Sequence, residues 1–181
     1  MRLYHGFDIE VRKPIIAYNT GFADLGQGFY LTDNRDVACQ RARSRARRLG
    51  ARDGVVSVFE FDEGCVPWAC WGACGPSLRT PDGGVPFGLC FDEDREGIAA
   101  WVSYIRACRR GQTGVGDLGA PAVVRAWIAT EEVEMVCAGF ATAEDLAEFI
   151  DPRQLVMQFC FADQGVIDGH LSFVGAENVS T

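Results

Sequence analysis

No run of about 18 apolar residues occurs anywhere in the 181-residue chain, so a membrane-spanning helix is not expected. The first residues lead straight into Arg2-Leu3-Tyr4-His5, without a basic-then-apolar leader, which points to the cytoplasm of the producing cell. Histidine is scarce: there are two, His5 and His170. Ser57, Ser103 and Ser172 lack a Gly-x-Ser-x-Gly context, and His170 has no nucleophile pattern beside it, so a hydrolase triad is not expected. Internal repeats and low-complexity tracts are missing as well. Net charge is −8, which argues against a surface built to coat nucleic acid.

Closely paired cysteine ligands are also missing. Eight cysteines stand at 39, 65, 70, 74, 90, 108, 137 and 160. Cys65, Cys70, Cys74 and Cys90 are the one grouping that invites a structural zinc site. Their spacings do not match those of familiar zinc modules, so no stoichiometric metal is expected. Several cysteines sit in apolar patterns, where a thiol behaves as a small hydrophobe, and reduced thiols are expected throughout.

Apolar residues make up 48% of the chain and charged residues 23%, as in a soluble globular protein, and the length suits one domain over residues 1–181. Strands are predicted at 2–5, 29–32, 55–61, 87–91, 123–130, 155–161 and 171–174, on alternation and β-branched content. Helices are predicted from Asp33 to Leu49 with Gly50 as the stop, over 92–110, and from Thr142 as a capped start. In the second helix Ile98, Trp101, Val102, Ile105 and Cys108 form one apolar stripe. Residues 133–137 read equally as strand or helix. About 62–90, with four prolines and several glycines, reads as an inserted loop, and 111–119 as a glycine-rich loop. Strands and helices mix without regular βαβ alternation, so the class is α+β.

Three short stretches carry chemistry. Leu3-Tyr4-His5-Gly6 ends a strand on a histidine and a glycine. Gly26-Gln27-Gly28-Phe29-Tyr30-Leu31-Thr32 is a tight loop followed by an aromatic strand, and Gln158-Phe159-Cys160-Phe161 lies far downstream. Read alone, each has a plain structural explanation: a satisfied histidine, a core tyrosine, a buried glutamine. In this order they resemble the ADP-ribosyltransferase superfamily in its diphtheria-toxin-like and poly-ADP-ribose-polymerase-like branch. More narrowly, they resemble a bacterial family of unknown function (DUF3990-like).

That resemblance implies a split α+β fold of two antiparallel sheets around an NAD cleft, and NAD-dependent mono-ADP-ribosyl transfer. It places the branch's catalytic trio on His5, Tyr30 and Gln158. His5 would bond the adenosine ribose, the Gly6 backbone would hold the nicotinamide amide, and Tyr30 would be the platform under the nicotinamide ring. Gln158 would orient a ribose hydroxyl while an oxocarbenium-like state forms. Gly28, Thr32 and Arg41 complete the expected NAD contacts.

Two departures from the pattern matter. No aromatic lies within Ala38-Cys39-Gln40-Arg41-Ala42 to close the other side of the ring. Gln158 also stands where a Glu is usual, which disfavours chain-extending transfer. An NAD glycohydrolase, or a degenerate module that binds NAD or a protein, remain rival readings. Partners implied are NAD and an acceptor of unassigned class, with a neutralising protein conceivable in a toxin or defence setting. Seven of the 17 basic residues fall between Arg35 and Arg52. That helix could be a solvated face, or could meet the NAD pyrophosphate or a nucleic-acid acceptor. Arg12 and Lys13 are further candidates for phosphate contact.

Overall fold

The computed structural model describes residues 1–16, 23–72, 75–76, 88–112 and 120–181. Among these, nine strands make one mixed sheet. They are β1 (Arg2–Phe7), β2 (Phe29–Thr32), β3 (Asp53–Phe61), β4 (Trp68–Gly72), β5 (Gly75–Pro76), β6 (Gly88–Phe91), β7 (Val123–Trp127), β8 (Met157–Phe161) and β9 (Leu171–Ser180). Their spatial order is β5-β4-β6-β7-β8-β2-β1-β3-β9. The helices are α1 (Arg35–Leu49), α2 (Arg95–Cys108), α3 (Glu131–Cys137), α4 (Ala143–Ala147) and α5 (Gln164–His170).

The expectation of two antiparallel sheets is corrected here: the sheet is continuous, and β6 runs parallel to both β4 and β7. The β6–β7 pair follows from chain order. α2 lies between the two strands, and a helical crossover returns the chain in the same direction. The sheet is nevertheless weakly joined at one place. β1 pairs with β3 over six residues and β2 with β8 over four, whereas β1 and β2 meet at a single pair, Tyr4 opposite Thr32.

α1 shows how sequence sets position. The Asn34 side chain accepts from the Asp36 and Val37 amides at its start, and Gly50 ends it in the left-handed region at φ 68°. Its inward face is small, with Ala38, Ala42 and Ala46 fully buried. A Cβ on Gly6 would lie 1.9 Å from the Ala38 carbonyl oxygen, and one on Gly54 2.5 Å from that of Ala42. Two glycines on the sheet and alanines on the helix thus let the backbones touch. α2 buries the predicted stripe, and α3 and α4 pack against it.

Other expectations shift. Residues 62–90 are not all loop, since β4 and β5 pair there, while β6 falls on the strand expected at 87–91; 73–74 and 77–87 lie outside the described residues. Residues 133–137 are helical, the strand from Leu171 continues to Ser180, and α5 had no sequence counterpart. Most of the predicted loop at 111–119 is outside the description. The expectation of reduced thiols fails at one pair: Cys70 and Cys90, register partners on β4 and β6, form a disulfide. Both sulfurs are therefore spent, and among the described residues no group of His, Cys, Asp or Glu is arranged to hold a metal. Cys74 and the Cys65 side chain lie outside the description. No helix of the described residues is long and apolar enough to cross a membrane.

Candidate functional site at the seam between β1 and β2

The single β1–β2 pair leaves His5 and Gly6 diverging from Tyr30 and Phe29, and His5 bridges the gap. Its Nδ1 lies 2.8 Å from the Tyr30 carbonyl oxygen. A carbonyl only accepts, so Nδ1 carries the proton and Nε2 presents a lone pair. Burial lowers the His5 pKa, the bond to the Tyr30 backbone works against this, and the positive Arg41 adds to the lowering. The imidazole is neutral near pH 7.

Alternation decides which side each residue faces. His5 shares a face with Leu3 and Phe7, and its ring centroid lies 4.6 Å from that of Phe29 and 5.5 Å from that of Phe7. That face opens into a cavity of about 360 Å³ lined by His5, Phe7, Val11, Lys13, Ile15 and Phe29 among others. The segment roofing it is tied down twice. The Val11 amide donates to Ser57 Oγ, and Gln164 on α5 donates to the Pro14 carbonyl while accepting from the Ile16 amide.

Tyr30 faces the opposite side, with Thr32 and Gln158. Its ring packs against the α2 core. Its hydroxyl donates to the Gly26 carbonyl at 2.6 Å and accepts from the Leu25 amide at 3.0 Å. Asp24 in the same loop is gripped by Arg109, which also holds Glu134 on α3. Desolvation raises the Tyr30 pKa strongly and pushes its neighbour Cys160 up to about 12, so neither ionises near neutrality. Arg41 on α1 reaches solvent beside the seam. It is close enough for its charge to be felt by His5 and Tyr30, and its own pKa is lowered by partial desolvation.

The predicted trio is therefore brought to one seam but not to one surface. Gln158 is only 2% exposed, directly opposite Thr32, and its Nε2 donates to the Trp127 carbonyl at 3.2 Å. Thr32 spends its hydroxyl on the Met157 carbonyl and the Asn34 amide. At Gly6 and Gly28 packing alone already calls for glycine: α1 fills the space beside the first, and Cys160 Sγ would lie 2.5 Å from a Cβ on the second. His5, Lys13 and Arg41 keep groups free for a ligand. Sequence reading missed Phe7 and Phe29 as the rings around His5. Alternation from His5 would have found Phe7, while Phe29 needed the β1–β2 register.

Comparison with known proteins bears on this seam. No curated protein and no solved structure matches the chain. The model of a family of unknown function, DUF3990, matches residues 1–67, a span that holds His5, Lys13, Tyr30 and Arg41 but not Gln158.

Proposed function

We propose that the chain binds NAD at the β1–β2 seam and acts as a mono-ADP-ribosyltransferase. The observation that carries this reading is the neutral His5, which borders an apolar cavity of about 360 Å³ at the most sparsely paired joint of the sheet. A ribose hydroxyl donating to Nε2, with the adenine against Phe7 and Phe29, uses each of those groups in its natural role. Lys13 and Arg41 supply positive charge for the pyrophosphate at either side of the seam. Tyr30 lies on the opposite face of the sheet, so transfer requires the nicotinamide to pass through the β1–β2 gap to its ring. Loss of the nicotinamide then leaves a cationic ribose centre for an acceptor to attack.

Gln158 favours a second reading, a module that binds NAD without cleaving it. Its amide is committed to the Trp127 carbonyl and stands away from the cavity of His5.

Melting curves and nicotinamide release, measured on the same protein, test both. A dissociation constant near 100 μM stabilises by about 1.4 kcal/mol at about 1 mM NAD, a readily visible shift. His5→Ala should abolish that shift. Release that depends on added lysate marks transfer, and a shift without release marks the binding module. No shift and no release would reject both.

A further inference from the structure

Far from the seam, the α3–α4 hairpin carries side chains that its own packing leaves unused. Val133, Val136, Ala143, Leu146 and Ala147 are buried against α2. Phe140 is 81% exposed, Phe149 82% and Met135 51%. Gly139, at φ 84°, turns the chain after α3, and the Phe140 amide donates to the Met135 carbonyl at 2.9 Å, which places those two on one turn. Taking an exposed Phe ring out of water is favourable. Two such rings on one short hairpin mark a surface that gains when covered.

Charge selects what covers it. Residues 131–151 contain seven carboxylates and no Lys, Arg or His, in a chain whose whole net charge is −8. Arg109, Arg95 and Arg153 neutralise Glu134, Glu148 and Asp151. Among the described residues Glu131, Glu132, Glu144 and Asp145 form no ion pair; the Asp145 pKa is lowered first by Thr142 and only weakly by Arg95. The geometry points to a docking surface for a basic protein segment with apolar anchors, such as an amphipathic cationic helix. Like-charge repulsion disfavours nucleic acid and anionic membranes. A second copy offering α1 has the right sign. However, α1 turns its alanines onto the sheet, commits Arg35 to Glu177 and Arg45 to Asp8, and leaves Leu49 as its one large exposed apolar residue.

The test titrates the full chain with a helical peptide of about 14 residues made of Leu and Lys, at about 50 mM and about 300 mM salt. A Ser-for-Leu peptide and a Glu-for-Lys peptide serve as controls. The Leu/Lys peptide should bind at least about tenfold tighter than either control, and more weakly at high salt. The double variant Phe140→Ser, Phe149→Ser should lose that advantage with its melting temperature intact, because both rings are exposed. Equal binding by the double variant, or equal binding of the Leu/Lys and Ser/Lys peptides, overturns the proposal. So does a concentration-dependent dimer of the parent chain that the double variant loses, since the occupant would then be a second copy.

Discussion

His5 ties local structure to a measurable pH dependence. Its pKa is lowered in the folded protein, chiefly by burial, so the folded chain refuses a proton that the unfolded chain accepts below the ordinary value of 6.5. The contribution of His5 to stability is whole above that value and falls away as pH drops below it. The parent chain should therefore lose more melting temperature than His5→Gln between about pH 7.5 and about pH 5.5. If the two fall in parallel, His5 is not desolvated as its packing implies. Acid should also weaken NAD protection, because a protonated Nε2 donates where the ribose hydroxyl needs an acceptor. At this scale the sequence was partly legible. The prominence of His5 could be read from its motif, but its tautomer depends on the Tyr30 carbonyl, a partner 25 residues away.

At the scale of elements, α1 was readable and the reason for its seat was not. The start near Asp33 and the Gly50 stop are local signals, and they predicted the helix. Gly6 was read as a place where the backbone meets a ligand ring, and the structure adds a second close approach there, that of the Ala38 carbonyl. Close approach of backbone explains the glycine in both accounts, and the helix contact becomes visible only once β1 is paired with β3 beneath the helix. Gly6→Ala and Gly54→Ala should each destabilise by about 1–3 kcal/mol or more, because the clash is with helix backbone that cannot swing aside. Gly169, in α5, has nothing within 4 Å of a Cβ position. Gly169→Ala should have the opposite sign, stabilising by roughly 0.5–1 kcal/mol through reduced freedom of the unfolded chain. Urea midpoints of the three variants check the pattern. A neutral Gly6→Ala would return that residue to the ligand.

On the scale of the whole molecule, the sheet divides at the seam into a lobe with the disulfide and a lobe without one. β5, β4, β6, β7, β8 and β2 lie on one side, and β1, β3 and β9 on the other. The α+β mixture was visible in the order of predicted elements. Continuity across the seam was not, since a single Tyr4–Thr32 pair leaves no pattern in either strand. Nor was the disulfide, because Cys70 and Cys90 become neighbours only through the parallel pairing of β4 with β6. The crosslink closes a loop with a sequence separation of 20, which on chain-entropy grounds restrains the unfolded state by about 3 kcal/mol. Its protection should be felt mostly by the lobe that contains it, because little pairing crosses the seam to share it. Reduction should then speed hydrogen exchange at the β4 and β6 amides by about 10²-fold, while β1, β3 and β9 change far less. Uniform acceleration across all nine strands would mean that the seam transmits unfolding fully, and that the two lobes behave as one cooperative unit.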